Sequence, residues 1–503
     1  MTALGERAGA ARRGLDAVWA DRRIGVAIAV GSAALWGLLG GWWTPRGPIT
    51  AGEGLSAMGI SLLLGAGAGL VTRSRWAMLL APVAFVTALE LARLGTDGPT
   101  VDGLHASTYG AIAFVVGRGV HGLLTVVPMV LGGALGAGLA RRIAGENRGG
   151  RLGRYARRAV AGLVAVGLIL LGVAVARPAK TDPIPGPGSV AELTRVEIGG
   201  RPLAMMIRGE RVENPVLLFL AGGPGGTELG AMRRHLAALE RDFVVVTWDQ
   251  RGTGKSYGEI DPTSTLTLER VVSDTIEVTE YLRDRFGREK IYLVGQSWGS
   301  TLGVLAVQRR PELYHAFVGT GQMVSQRETD RLFYRDTLAW ARANGHDDVA
   351  ERLSAIGPPP YASILDYEPA LSYEHEVYRY DHSPNAEGEG GFSENLFVEE
   401  YTLLEQIHNL GGFLDTFSAL YPQLQGIDFR TDATALDVPV YLVQGGHEAR
   451  GRDVLAREWF EQLRAPVKRL IEIEPAGHRP PFEQPARFHA AMTEIAAEVA
   501  GDR

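Results

Sequence analysis

The chain has 503 residues, a formal net charge of −6 and no cysteine. The lack of cysteine excludes disulfide bonds, thiolate metal sites, iron–sulfur clusters and a cysteine nucleophile. Without a basic excess, no nucleic-acid partner is expected. Composition divides the chain into two parts: long apolar blocks fill the first 176 residues, and the remainder has the mixture typical of a soluble domain.

Five long apolar runs follow one another in the first part. They are Ile24–Trp43, Leu55–Val71, Trp76–Leu94, His121–Ala140 and Ala159–Ala176. About 20 apolar residues suffice to cross a bilayer, and frequent glycine is typical of closely packed membrane helices. We therefore predict that residues 1–176 form an all-α transmembrane region of about five helices. The segment 109–116 is either a re-entrant piece or an extension of the fourth run.

The distribution of arginine predicts the orientation of these spans. Arginine is concentrated at residues 7–23, 73–75 and 141–158. The positive-inside rule assigns those three segments to the cytoplasm. We expect a multi-pass protein of the cell membrane, with a cytoplasmic N-terminus and an extracytoplasmic C-terminal part.

Four ionisable residues lie in or beside the apolar runs. They are Glu90, Arg93, Arg118 and His121. Such groups are candidates for function. Because all four fall near the outer ends of their runs, we interpret them as snorkelling side chains or as partners of each other.

The second part of the chain reads as an α/β domain. Residues 177–189 are rich in proline and glycine and predict a semi-rigid linker. Across residues 190–503, short β-branched runs alternate with helical stretches, which predicts a mainly parallel sheet. The predicted strands are Val216–Leu220, Phe243–Thr247, Ile291–Val294, Ala316–Val318, Val440–Val443 and Leu470–Ile473. A helical, polar insertion at about 323–438 predicts a cap over one end of the sheet.

The sequence Gly295-Gln296-Ser297-Trp298-Gly299 follows one of these strands and opens a helical stretch. This is the context that a G-x-S-x-G nucleophile elbow requires. The tight turn lifts a serine hydroxyl above the sheet and needs glycine on both sides. Ser297 is therefore the candidate nucleophile.

A serine nucleophile needs a base and an acid that orients the base. His478 follows the last predicted strand, where the hydrolase fold has its histidine. Six other histidines fall in the cap or near helices and are weaker candidates for the base: His235, His315, His346, His375, His382 and His408. Glu448, just after Val440–Val443, is the favoured acid, and Asp453 is the alternative.

Two glycine-containing segments flank the candidate catalytic residues. The loop 222–226 follows a strand, and Gly223 there is a candidate oxyanion donor, together with the N–H of Trp298 at the helix start. The segment 248–256 ends in Gly-Lys-Ser but has Asp249 where a phosphate-binding loop requires glycine, so that motif is absent. No metal-ligand cluster is evident, and the predicted chemistry needs no cofactor.

These motifs resemble the proline iminopeptidase family of α/β-hydrolases. The matching pieces are GGPGG at 222–226, WDQRGTGKS at 248–256, GQSWGST at 295–301 and GHRPPFEQP at 477–485. The resemblance implies an α/β-hydrolase fold with a helical cap. It also implies the same nucleophile, base and oxyanion donors, with Glu448 at the place of the family's aspartate.

The resemblance also implies that cap glutamates bind the free amine of the substrate. The candidates are Glu328, Glu374, Glu376, Glu399 and Glu400, and no spacing selects among them. The chain departs from the family at Ala221, where histidine is usual, and lacks the tryptophan-rich acidic cap motif of proline-specific members.

The predicted function is that of a membrane-anchored serine hydrolase, an aminopeptidase that releases N-terminal residues from short peptides or aminoacyl amides. An esterase or amide hydrolase of small molecules or lipids is the first alternative, since it uses the same triad. The second is a non-catalytic sensor or binding domain on a membrane scaffold, which would have a broken triad.

Overall fold

The computed structural model describes residues 14–146, 151–378 and 393–501. These residues form two compact units. The first comprises the chain up to Leu104 with Ile112–Pro178 and Thr402–Leu404, and the second comprises His105–Ala111, Ala179–Tyr401 and Glu405 onward. The arginines before residue 14 and at 147–150, and His382 of the cap, lie outside the described residues.

The first unit consists of apolar helices, as predicted. Their bounds are Arg22–Trp43 (α1), Ala51–Thr72 (α2), Ala77–Ala92 (α3), Thr108–Ile143 (α4) and Arg151–Ala176 (α5). Four of these helices are long and apolar enough to cross a membrane, whereas α3 has only 16 residues. Residues 109–116 lie inside α4 and extend the fourth apolar run.

Small residues allow α2 and α4 to pack with their backbones in contact. Gly65 and Gly69 of α2 face α4, and Gly132 and Gly136 of α4 face α2. A methyl group at any of these four positions would overlap a backbone oxygen of the facing helix. Both helices therefore carry a G-x-x-x-G pattern at their contact, which is the arrangement that drives membrane helices together.

Three of the four ionisable residues of this unit, Glu90, Arg93 and Arg118, pair with each other, as we interpreted them, whereas His121 Nε2 lies 3.0 Å from the Thr44 carbonyl. The Glu90 carboxylate accepts hydrogen bonds from Arg93 and from Arg118 Nε, the latter at 3.1 Å. Arg118 also donates to the carbonyls of Val101 and Asp102. Arg118 of α4 thus links the end of α3 to the segment between α3 and α4.

The second unit is built on an eight-stranded sheet of order β1-β2-β4-β3-β5-β6-β7-β8. The strands are Val190–Ile198 (β1), Arg201–Gly209 (β2), Val216–Leu220 (β3), Val244–Trp248 (β4), Ile291–Gln296 (β5), Tyr314–Thr320 (β6), Val440–Gly445 (β7) and Lys468–Ile473 (β8). The strands from β3 to β8 are parallel. Strands β3, β4, β5 and β7 are completely buried, which explains their continuous apolar sequences.

The six predicted strands are present, but the sequence analysis missed the antiparallel hairpin of β1 and β2. Gly199 and Gly200 form its turn, with φ of 56° and 68°. Two left-handed residues in succession favour a Gly-Gly pair in a hairpin turn. That dipeptide, between Ile198 and Arg201, was the signal that would have revealed the hairpin.

Helices cover the sheet and connect its strands. They are Leu229–His235 (α6), Leu268–Phe286 (α7), Trp298–Arg309 (α8), Arg450–Gln462 (α15), Pro480–Glu483 (α16) and Pro485–Gly501 (α17). The labels α9 to α14 are kept for the helices of the insertion between β6 and β7, given below. Phe488, Met492 and Ile495 of α17 are buried in one cluster with Leu229 of α6 and with residues of the central strands. This apolar cluster packs the helices against the sheet.

The insertion between β6 and β7 is helical, as predicted for a cap. Its helices are Gln326–Asn344 (α9), Asp347–Ile356 (α10), Ile364–Ser372 (α11), Glu374–Tyr378 (α12), Leu403–Leu424 (α13) and Phe429–Asp432 (α14). Tyr367 and Tyr421 pack with ring centroids 5.6 Å apart. Tyr421 donates to the buried Asp330 at 2.5 Å, and burial raises the pKa of that carboxyl to about 6.

Candidate active site

Ser297 lies in a strained turn between β5 and α8. Its backbone has φ 53° and ψ −119°, and positive φ is rare for a residue with a side chain. The flanking glycines are required by space: a methyl group at Gly295 would lie 2.8 Å from Ser300 Cα, and one at Gly299 would lie 2.6 Å from the Leu220 carbonyl carbon. The strained backbone is the elbow geometry predicted from the motif, and the half-buried Ser297 remains accessible.

His478 and Glu448 come together although 30 residues separate them. His478 Nδ1 lies 2.7 Å from Glu448 Oε2. The other oxygen, Oε1, accepts the N–H of Ala449 and Nε of Arg452, each at 2.8 Å. The Glu448 side chain has no exposed surface.

The charge state of Glu448 follows from its surroundings. Burial raises the pKa of the Glu448 carboxyl, but the charges of Arg452 and His478 outweigh this effect. The pKa therefore falls to about 2, below the usual value of a glutamate. The carboxylate is therefore ionised at neutral pH and can stabilise a positive charge on the imidazole. Asp453 instead accepts a hydrogen bond from Arg457 Nε at 2.8 Å, so the structure brings Glu448 to the histidine.

Ser297 and His478 lie at the same edge of the sheet. The Ser297 N–H donates to the carbonyl of Thr320, the last residue of β6. The next residue, Gly321, is so close to the imidazole that an added methyl group would lie 2.8 Å from His478 Nδ1. Gln296, which precedes the serine, donates from Nε2 to the His478 carbonyl at 3.4 Å.

The two segments that carry the candidate oxyanion donors both lie next to Ser297. A methyl group at Gly222 would come 3.4 Å from Ser297 Cβ, so the loop that carries Gly223 packs against Ser297. Trp298 is the first residue of α8. Its backbone N–H is one of the first four of the helix, which have no partner within the helix, and a helix start favours negative charge.

Gln250 links these two donor segments, and the sequence analysis missed it. Its Oε1 accepts the indole N–H of Trp298 at 2.9 Å, and its Nε2 donates to the Ala221 carbonyl at 3.3 Å. One buried amide thus fixes the start of α8 against the end of β3. The signal lay within residues 248–256, which the sequence analysis used as a family motif and tested as a phosphate-binding loop without assigning Gln250 a role.

The other histidines have structural surroundings. His408 stacks on Tyr257, with centroids 4.7 Å apart, and His346 stacks on Trp340 at 4.6 Å. His315 lies at the amino end of β6, and His375 lies in α12. His235 ends α6.

The five cap glutamates predicted to bind an amine do not converge on one point. Glu328 pairs with Arg331, Glu399 with Lys180, and Glu400 with Arg233. Glu374 pairs with Arg452, and Glu376 is exposed in α12. Four of the five carboxylates therefore already form ion pairs with arginine or lysine side chains of the chain itself.

A different group of carboxylates surrounds Arg479, the neighbour of His478. Arg479 Nη2 lies 3.0 Å from Glu228 and Nη1 lies 3.1 Å from Glu394. Glu483 accepts the backbone N–H of Arg479 at 2.7 Å. Two carboxylates thus contact the guanidinium, and a third binds the backbone of the same residue. Burial raises the pKa of Glu228 although Arg479 opposes the shift. The sequence analysis did not single out this cluster.

The description "alpha/beta hydrolase fold" belongs to the family model that matches residues 215–485. The Bacillus subtilis (strain 168) protein named Probable aminopeptidase YbaC is 29% identical over 316 residues, which are 61% of this chain and 96% of that protein. A protein of Leptolyngbya boryana named Probable proline iminopeptidase is 23% identical over 281 residues, 52% of this chain and 80% of that one.

Solved structures are similar as well. The proline iminopeptidase-related protein of Thermus thermophilus has a TM-score of 0.44 at 22% identity, over 62% of this chain and 98% of that one. The resemblance to proline iminopeptidases stated from the motifs is confirmed by these relatives. Because the family model matches more than half of the sequence, the chain belongs to the α/β-hydrolase fold family.

Proposed function

We propose that this α/β-hydrolase is a serine hydrolase with the triad Ser297, His478 and Glu448. The observation that carries the proposal is the 2.7 Å contact between His478 Nδ1 and the buried Glu448 carboxylate, at the sheet edge where Ser297 has its strained backbone. An acid, an imidazole and a serine elbow in this arrangement are the parts that acyl transfer requires.

The mechanism follows from these groups. Nε2 of His478 takes the hydroxyl proton as Ser297 Oγ attacks the substrate carbonyl carbon. The oxyanion is stabilised by the backbone N–H groups of Trp298 and Gly223, while Glu448 stabilises the imidazolium. The imidazolium protonates the leaving group, an acyl-enzyme remains, and water activated by the same histidine hydrolyses it. Each step uses a group of the chain, so this mechanism requires no cofactor.

We further propose that the substrates are short peptides or aminoacyl amides with a free N-terminal amine. The similarity to the Bacillus subtilis protein supports this, because it spans 96% of a protein named as an aminopeptidase. The cluster around Arg479 supplies the complementary charge: the Glu228 and Glu394 carboxylates lie beside the residue that follows His478. Their excess negative charge favours an ammonium group close to the scissile bond.

An esterase of small molecules or lipids is the second candidate. It is favoured by the state of the cap glutamates, four of which already have arginine or lysine partners. A cap whose carboxylates are neutralised in this way gives little attraction for a substrate amine. The two candidates share the triad and differ in the charge that the substrate must have.

A substrate panel with the full-length protein in detergent separates the two candidates. We expect hydrolysis of free-amine aminoacyl arylamides, prolyl included, to exceed that of their N-acetylated forms by roughly 10- to 100-fold. A buried charged hydrogen bond contributes roughly 1.5–3 kcal/mol, and a tenfold change corresponds to about 1.4 kcal/mol. Activity on short acyl esters alone would contradict the aminopeptidase and establish the esterase.

The Glu394→Gln variant identifies the amine site within the same panel. It should raise KM for free-amine substrates by roughly tenfold and leave ester hydrolysis unchanged, because only the ammonium loses a charged partner. Glu312→Gln is the matched control, since Glu312 pairs with Arg310 at the exposed opposite edge of the sheet. Equal effects of Glu394→Gln on amines and esters would exclude this cluster as the amine site.

We also propose that the hydrolase unit is extracytoplasmic and that the first unit anchors it in the membrane. This orientation requires five crossings, with the 16-residue helix α3 as the third. Crossings by α1 to α5 would leave the arginine-rich segments 73–75 and 141–158 in the cytoplasm and the residues after Ala176 outside. A periplasm-dependent phosphatase reporter fused after Gly188 should be active, and a reporter that requires the cytoplasm should be inactive. The reverse pattern would overturn the orientation.

A further inference from the structure

Arg452 contacts the proposed catalytic acid on the side away from the histidine. It lies in the first turn of α15, four residues after Glu448, so that its side chain returns over that carboxylate. Its Nε lies 2.8 Å from Glu448 Oε1, and only 6% of its side chain is exposed. Both oxygens of Glu448 are therefore bound, one by the imidazole and one by the guanidinium.

The same guanidinium also contacts the cap. Arg452 Nη2 donates to the Glu374 carboxylate at the start of α12, and its Cζ lies 4.9 Å from the centroid of Phe333 in α9. Glu374 is 78 residues from Arg452 in sequence, and its side chain is 12% exposed. A chain of contacts thus runs from the imidazole through Glu448 and Arg452 to a cap helix.

The orientation of Glu448 depends on the partners of Oε1. A buried carboxylate that loses a charged donor rotates or takes up a proton, because burial disfavours the ion. Without Arg452, Oε1 would keep only the N–H of Ala449. Glu448 would then have no charged partner to hold it against the histidine.

We propose that Arg452 is a positioning residue for Glu448 and that its contact with Glu374 couples the orientation of this acid to the docking of cap helix α12. The inference rests on the proposed triad. It assigns Glu374 a role in holding the triad, in place of the amine recognition that the sequence resemblance implied.

Arg452 also influences the protonation of His478. Its positive charge opposes an imidazolium at His478, so its removal should move the acid limb of the pH–rate profile to higher pH while Glu448 stays ionised. The charged groups that face His478 or the residues bonded to it are Glu448, Arg452, Glu374, Arg479, Glu483, Glu228 and Glu394. Among these cations, Arg452 is the one that contacts Glu448 Oε1. Without it, the hydrogen bonds from His478 and Ala449 would keep Glu448 ionised but less firmly oriented.

The test uses full-length protein, p-nitrophenyl acetate and a pH series, so that it does not depend on amine specificity. Arg452→Gln should lower kcat by roughly 10- to 100-fold, leave KM within about twofold and move the acid limb of kcat/KM to higher pH. Arg452→Lys should retain the pH limb and recover part of kcat. Arg450→Gln is the control: Arg450 pairs with Asp336 of the cap and is 52% exposed, and its loss should change kcat by less than about twofold.

Coupling to the cap is measured with a double-mutant cycle. Glu374→Gln alone should lower kcat several-fold, and the double variant with Arg452→Gln should be no slower than Arg452→Gln alone. Additive losses would overturn the coupling. A folded Arg452→Gln protein with unchanged kcat and pH limb would overturn the positioning role.

Two further outcomes are distinguishable. If Arg452→Gln does not fold, as shown by thermal unfolding, Arg452→Lys and Glu374→Gln decide the question, and wild-type kcat in both would overturn the inference. If the wild type neither hydrolyses the ester nor reacts with a fluorophosphonate, the proposed function fails and the inference falls with it.

Discussion

Replacing Ser297 with alanine is expected to lower kcat by roughly 10⁴- to 10⁶-fold on any substrate that the protein hydrolyses. The strained turn at φ 53° is what presents Ser297 Oγ above the sheet, and alanine leaves no nucleophile at that point. The backbone donors remain and account for the residual rate. Steady-state hydrolysis with equal amounts of folded protein measures the loss.

Ser273→Ala is the control for this experiment. Ser273 is a half-buried residue of α7 whose Oγ donates to the Glu269 carbonyl, and its replacement should leave kcat unchanged. A Ser297→Ala protein with wild-type turnover would remove the nucleophile assignment and with it the acyl-enzyme mechanism.

The second large effect is expected at the acid. Glu448→Gln keeps the size of the side chain and removes the charge that faces His478 Nδ1 at 2.7 Å. A neutral amide cannot stabilise the imidazolium and can favour the wrong tautomer, so kcat should fall by roughly 10²- to 10⁴-fold. Measurement of kcat on the best substrate of the panel checks the loss.

Asp453→Asn distinguishes the two acids that the sequence left open. Asp453 bonds to Arg457, which also pairs with the exposed Glu472. Its replacement should change kcat by less than about twofold, because a partly exposed ion pair contributes little. A larger loss of kcat in Asp453→Asn than in Glu448→Gln would identify Asp453 as the acid. Small losses of kcat in both variants would show that neither residue is the acid of the triad.

Local sequence rules were sufficient for the sheet and the elbow. Continuous apolar runs such as Val216–Leu220 and the turn Gly295–Gly299 are determined by neighbouring residues, and the structure has both. The hairpin of β1 and β2 was missed because its strands alternate weakly and include Pro202 and Gly209. The apolar character of the first unit was likewise evident from composition.

Contacts between distant residues were beyond the sequence. Gln250 reaches Trp298 across 48 residues, and Arg452 reaches Glu374 across 78. The cap glutamates were chosen for their charge, and only the fold reveals that partners such as Arg233 and Lys180 already neutralise them. The family's usual aspartate gave no reason to expect that the longer Glu448 would bridge a histidine and an arginine.

The central claim is that Ser297 is the nucleophile of a functional triad, and covalent labelling tests it most directly. Full-length protein would be treated with a fluorophosphonate, digested and mapped by mass spectrometry. We predict a single adduct on Ser297, which disappears in Ser297→Ala and forms much more slowly in His478→Ala. An adduct on another residue, or equal labelling of Ser297→Ala, would contradict the account.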